Sequence, residues 1–321
     1  MLLPLSERGK IMEHEIGEQA TRLTGQAERY VEQLRQAALP EFEMVLLAAR
    51  GSSDNAALYA RYLIEVKLGK PVSMAAPSVW TRLGGQVRFP RCLVVGISQS
   101  GAAPDVAEVL EMMREAGHPT LAITNTPGSR LTTVADVTLL LEAGEERSIA
   151  ATKTYTSTLV ALYELVRAFA PDRLPAAALP NEAWVRTAAD FAEMAAGSLV
   201  RSSPVFALGR GYSFSTAMET ALKLMECALI PAKAYSSADF EHGPKALAGP
   251  GTAAISFDGD KPHLAENGCE VIVAPSPAGV ADEIRPVWDV ITGQWLALVS
   301  ARARGLNPDT ARFLRKVTTT H

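Results

Sequence analysis

Lys223 and Glu226 stand three residues apart in TALKLMECA, so a helix puts both on one face. A carboxylate beside an ammonium can take a proton from carbon and steady the charge left behind. His242 follows in the loop Ala234 to Pro244, just before Gly243-Pro244, and imidazole titrates near neutral pH. Together the three side chains could move protons on a sugar. Each also has a plainer reading. Lys223 and Glu226 would form a solvated i,i+3 ion pair, and His242 would be a surface turn residue. Lys316 alone reads as a tail charge, and Lys153 and Glu146 read as surface charges.

A second stretch, CLVVGISQSGAAPDVAEVLEMMREAG from Cys92 to Gly117, suits a different task. The apolar run Leu93 to Ile97 reads as a buried strand, and Val106, Val109, Leu110 and Met113 recur at helical spacing. Between them lies Ser98-Gln99-Ser100-Gly101. A strand that turns through hydroxyls and Gly into a helix N-terminus is a ready anion site. An ordinary strand-to-helix turn with Ser as N-cap fits the same residues.

The elements that must carry these groups alternate along the chain. Ile11 to Gln36 reads as a long helix. Strands follow at Met44 to Ala49, Val72 to Pro77, Leu93 to Ile97, Thr120 to Thr124 and Val137 to Leu141, with helices at Ala56 to Lys67 and Ala151 to Ala168. Ala170 to Pro180 is rich in Pro and Ala and reads as a link. After the helix Asn181 to Leu199, the first unit comes round again: Arg210-Gly211-Tyr212-Ser213 matches Arg50-Gly51-Ser52-Ser53, each after a strand and before an Ala-rich helix. Two copies of one α/β domain are expected, each a doubly wound parallel sheet flanked by helices. The second copy leaves little chain between the strands Ala253 to Phe257 and Glu270 to Ala274, so that crossover at 258–268 must be short. Val280 to Arg304 is a last helix.

Composition narrows the class. The chain has 321 residues, 48% hydrophobic and 21% charged, as a globular protein does. A net charge of −4 gives no support for nucleic-acid binding. No apolar run reaches membrane-spanning length, and MLLPLSERGK lacks the pattern of a signal peptide. Cys92, Cys227 and Cys269 show no metal or disulfide spacing, so a cytoplasmic location is expected.

Taken in order, Ala49 to Ser53, Ser98 to Gly101, Glu146 to Tyr155 (ERSIAATKTY), Lys223-Leu224-Met225-Glu226 and Glu241-His242-Gly243-Pro244 resemble the SIS (sugar isomerase) superfamily. Within it they resemble the double-SIS isomerase half of glutamine–fructose-6-phosphate aminotransferases and their glutaminase-less deaminase and deglycase relatives. The resemblance runs over about residues 11–320. It implies an N-terminal helical segment at 1–36, SIS domains at 37–170 and 181–305 joined by a linker at 171–180, and a tail at 306–321 that closes the active site.

The resemblance also implies roles. Ser98, Gln99 and Ser100, with Ser52 and Ser53, would bind the phosphate of a sugar 6-phosphate; Ile149 and Ala150 would line the sugar by their backbone. Glu226 would be the base that moves a proton between C1 and C2, and Lys223 would hold a sugar oxygen. His242 would assist ring opening, reaching across a homodimer into the neighbouring site. Lys316 would close over the sugar and form a Schiff base with the open ketose; kept from water near Lys223, its amine would have a lowered pKa. No metal or redox cofactor is implied.

The chain departs from the pattern at Ala102, Ala103, Ala151 and Ala311, and no Cys follows Met1 to draw ammonia from glutamine. Losing the hydroxyl usual at Ala103 would cost about 1–2 kcal/mol of phosphate binding. The expected activity is an amino-sugar-phosphate isomerase and deaminase acting on a hexosamine 6-phosphate. A fructosamine-6-phosphate-type deglycase, an aminotransferase fed with external ammonia and a non-catalytic sugar-phosphate sensor are the alternatives.

Overall fold

The computed structural model describes residues 7–85, 87–310 and Lys316. Ala311 and the rest of the tail lie outside the described residues. The chain forms two compact units. One holds Leu23–Glu145 and Ser157–Ala177; the other holds Glu146–Thr156 and the described parts of Met1–Arg22 and Ala178–Lys316.

The first unit is built on a five-stranded parallel sheet in the order β2-β1-β3-β4-β5. Its strands are β1 (Met44–Ala48), β2 (Val72–Met74), β3 (Cys92–Ile97), β4 (Thr120–Thr124) and β5 (Val137–Leu140). Every residue of β1, β3 and β4 is buried, as central parallel strands covered on both faces must be. The helix Pro104–Glu115 lays Val106, Val109, Leu110 and Met113 onto Leu46 and Val94. Beside β5, helix Gln26–Ala37 satisfies the backbone where the strand ends. Tyr30 donates its hydroxyl to the Leu141 carbonyl at 2.6 Å, and the Gln33 amide bonds both N–H (2.8 Å) and C=O (3.1 Å) of Leu140.

The second unit has a four-stranded parallel sheet in the order β7-β6-β8-β9: β6 (Val205–Gly209), β7 (Ala232–Ser236), β8 (Ala253–Ser256) and β9 (Glu270–Val273). The repeat seen in Arg50 to Ser53 and Arg210 to Ser213 thus recurs as a shared strand order. The short crossover is a five-residue helix, Pro262–Glu266. Helix Arg285–Ala303 packs against helices Ser213–Ala228 and Glu182–Arg201, and on the latter face Trp184 and Trp288 meet edge to face at 5.8 Å.

Two elements differ from expectation. The stretch Ile11 to Gln36 is not one helix but three, Lys10–Gly17, Gln19–Leu23 and Gln26–Ala37. Gly25 takes a left-handed conformation (φ 72°) and starts the third segment afresh. Ala232–Ser236, whose second half was expected to be loop, is the edge strand β7. Only Ala232 and Ala234 of it are buried, so its apolar signal is two alanines.

Candidate functional site

In the five-stranded unit, β1 and β3 lie side by side in parallel, with Ala48 opposite Gly96. The strand order reverses between them, and loops at such a point are where open α/β sheets bind ligands. The loop after β1 runs into helix Ser52–Leu63, leaving Ser52 and Ser53 half-buried in its first turn. The loop after β3 carries Ser98, which is buried, and Gln99 and Ser100, which are half-buried. This second loop is tied down along its length. Ser98 N–H donates to the Ile123 carbonyl at 3.1 Å, and the Gln99 carbonyl accepts from Asn125 N–H at 3.0 Å and from the Thr124 hydroxyl at 3.2 Å. Leu131 N–H donates to the Gly101 carbonyl at 3.0 Å. Gly101 has φ +61°, and a Cβ there would stand 2.0 Å from the Ser129 hydroxyl, so only glycine lets the chain pass. Arg50 ties the loop after β1 to the first turn of helix Pro104–Glu115 through its Nε, 2.7 Å from an Asp105 carboxylate oxygen. Ala103 occupies the N-cap of helix Pro104–Glu115 without a side-chain acceptor; the Ser100 hydroxyl accepts Ala102 N–H just before it at 3.3 Å, and the Asp105 carboxylate accepts Val106 N–H in the first turn at 3.0 Å.

In the four-stranded unit, helix Ser213–Ala228 presents Glu219, Lys223 and Glu226 on one face. Lys223 is 1% exposed, not a solvated ion-pair member. Its ammonium stands 3.4 Å from the fully buried Glu219 carboxylate and donates to Glu226. Burial works against the Lys223 charge, but Glu219 and Glu226 outweigh it and hold the pKa above the ordinary lysine value. Glu226 keeps a partly open side chain at the end of this row. His242 is exposed in the turn after helix Ser237–Phe240.

Glu146 and Lys153, surface charges by sequence, are both buried. The Glu146 carboxylate accepts from Thr152 N–H (2.9 Å), Thr154 N–H (3.1 Å), the Thr154 hydroxyl (2.7 Å) and the Lys316 ammonium (2.6 Å). Burial pushes its carboxyl up, yet the Lys316 charge and these hydrogen bonds hold it below the usual range. Lys316 is therefore not an isolated amine; it faces an ionised carboxylate. Lys153 pairs with Glu18. Between Glu146 and Lys153 run Ile149, half-buried, and Ala150, buried. One signal for the buried lysine was present: the helix Lys153–Phe169 that it opens is almost wholly apolar or hydroxylated, which marks a helix covered all round. Among the described residues no cluster of His, Cys, Asp and Glu is placed to hold a metal ion, and no helix is long and apolar enough to cross a membrane.

Two parallel α/β units with loops gathered where the strand order reverses define the class of protein. The chain belongs to the SIS domain family, whose model matches residues 42–168 and 198–267. The glutamine–fructose-6-phosphate aminotransferase (isomerizing) of Methanothermobacter thermautotrophicus is 32% identical over 311 residues, covering 87% of this chain and 52% of that protein. The chain spans about half the length of the curated relatives it matches. Among solved structures, glucosamine-6-phosphate deaminase from Thermotoga maritima superposes with a TM-score of 0.82 at 24% identity, over 97% of this chain and 100% of that one. The C-terminal domain of the Francisella tularensis glucosamine-fructose-6-phosphate aminotransferase gives 0.78, also at 24% identity, over 94% and 98%. These two likenesses establish the fold.

Proposed function

We propose that the chain converts a hexosamine 6-phosphate to the ketose 6-phosphate with release of ammonia, most simply glucosamine 6-phosphate and water to fructose 6-phosphate and ammonia. The observation that carries this is the row Glu219, Lys223, Glu226: a half-open carboxylate beside a buried, charge-held ammonium. In the open-chain sugar, Glu226 takes the C2 proton and returns it to C1. Lys223 steadies the negative charge that develops on the sugar oxygen. The product carries an imine at C2; water adds there and ammonia leaves. Ser98, Gln99 and Ser100 with Ser52 and Ser53 hold the phosphate, and Ile149 and Ala150 contact the sugar through their backbone. Lys316 closes over the sugar, with its ammonium held as an ion pair by the Glu146 carboxylate.

A panel of hexose and hexosamine 6-phosphates, screened by thermal shift and then for ammonia release, tests the proposal. Ammonia from glucosamine 6-phosphate is the expected result. Binding without any ammonia or isomerised product would leave a sugar-phosphate sensor. Ala151, a small half-buried side chain beside Ala150, favours a second reading. A fructosamine-6-phosphate deglycase would release a free amino acid instead of ammonia.

His242 acts in ring opening from the partner chain of a homodimer in this proposal. Mixed His242→Asn and Glu226→Gln chains, each inactive alone, should then regain part of the wild-type rate once subunits exchange. A protein that stays monomeric in light scattering, or a mixture that stays inactive after exchange, would remove that role.

A further inference from the structure

Helix Lys10–Gly17 buries a carboxylate, and the reason lies in what that carboxylate holds. Glu15 is 3% exposed, and burial pushes its carboxyl above the ordinary range, partly offset by the bonds it accepts. One oxygen accepts Arg147 N–H, and Ser148 N–H reaches the two oxygens at 3.3 and 3.2 Å. These are the two amides that directly follow Glu146. One turn on, Glu18 takes the ammonium of Lys153, at the far end of the same loop.

The other end of the helix holds the other partner. Ile11 N–H and Met12 N–H, two of the donors that a helix leaves open at its start, donate to the Asp309 carboxylate at 3.0 and 2.9 Å. Gly9 N–H donates to the Asn307 side chain at 2.8 Å. Asp309 stands seven positions before Lys316, and Lys316 donates to Glu146. One short helix therefore grips the backbone next to Glu146 and the turn that holds Asn307 and Asp309. A separate tie, Arg302 to Glu13 at 2.9 and 3.2 Å, fixes the helix without touching either.

We infer that Glu15 and Asp309 are positioning residues, which set the Glu146–Lys316 pair by fixing the backbone that follows Glu146 and the turn at Asp309, seven positions before Lys316, to opposite ends of helix Lys10–Gly17.

The kinetic part of the test rests on the reaction proposed above; the labelling part does not. In Glu15→Gln the side-chain amide opposes an N–H where a carboxylate accepted one. Turnover should fall by about 10- to 100-fold, as for a small misplacement of reacting groups, with KM for the sugar phosphate within about twofold of wild type. Acylation of Lys316, followed by peptide mass, should speed up severalfold, and amide exchange at Arg147 and Ser148 should rise in parallel. Asp309→Asn should reproduce the Lys316 effect, and carries the test alone should Glu15→Gln not fold. Glu13→Gln should lower stability and leave turnover and Lys316 labelling as in wild type. Folded variants at Glu15 or Asp309 with wild-type Lys316 labelling and amide exchange would overturn the inference. So would Glu13→Gln matching their effects, since any loosening of the helix would then do the same. A wild type that releases no ammonia from any hexosamine 6-phosphate would sink the proposed reaction and leave the labelling comparison intact.

Discussion

Glu226→Gln is expected to lower ammonia release from glucosamine 6-phosphate by about 10²- to 10⁴-fold, with KM changed by less than about threefold. The amide keeps the size and reach of the carboxylate but cannot accept the C2 proton. It can still accept a hydrogen bond from Lys223, whose charge remains balanced by Glu219 at 3.4 Å. Glu226 is also the most open member of its row, with 24% of its side chain exposed, so the fold should survive. Exchange of the substrate's C2 hydrogen with deuterated solvent gives a second readout, because it reports proton removal even when ammonia release is slow. Wild-type exchange in the variant would strip Glu226 of the role of base, whatever the substrate proves to be.

Much of this candidate site was legible because its polar residues sit at breaks in periodicity. Ser98-Gln99-Ser100-Gly101 interrupts a buried strand and a helical pattern, and both elements form where the pattern places them, as Cys92–Ile97 and Pro104–Glu115. The repeat of Arg-Gly-x-Ser pointed to the second sheet, where helix Ser213–Ala228, which follows β6, carries Lys223 and Glu226. Strand β7 was harder: it begins after Pro231, exposes Lys233 and buries only alanines, so neither its period nor its apolarity stands out.

The charged residues are where local sequence misleads. Glu146 lies in EERSIAATK, which reads as a polar turn, yet it is wholly covered. Its partners explain why. Thr152 and Thr154 come from the chain just ahead, but Lys316 comes from 170 positions away. Lys153 is covered for the same reason, with Glu18 as its distant partner at 135 positions. A buried charge is tolerated only when paired, and pairing over such separations is a property of the folded chain, invisible to spacing. The N-terminal helix shows the converse. Glu15 and Glu18 look like ordinary surface acids of an amphipathic helix, and only the structure shows that the face they share is turned inward.

For stability, Lys223→Met is expected to be the costliest single change, at about 3–5 kcal/mol near pH 8. Methionine fills a similar volume, so little of the loss comes from a cavity. The loss is electrostatic: Glu219 is fully buried, and Lys223 is the cation beside it. With that cation gone, burial pushes the Glu219 carboxyl above its unfolded value of about 4.3. Between those two values the folded variant holds a proton that the unfolded chain releases. Its stability therefore falls as pH rises, and the deficit should be smaller at pH 5 than at pH 8. In the wild type the sign belongs to the lysine. Its raised folded pKa keeps the stabilisation whole below about 10.4 and removes it only as pH climbs above that. Urea unfolding of both proteins at pH 5 and pH 8 measures the difference. Adding Glu219→Gln to the variant should recover most of the lost stability at pH 8, because it removes the buried carboxylate that Lys223 stood beside. A deficit equal at both pH values, with no recovery in the double variant, would assign the loss to packing and leave Glu219 without the counter-ion role that fixes Lys223 in front of Glu226.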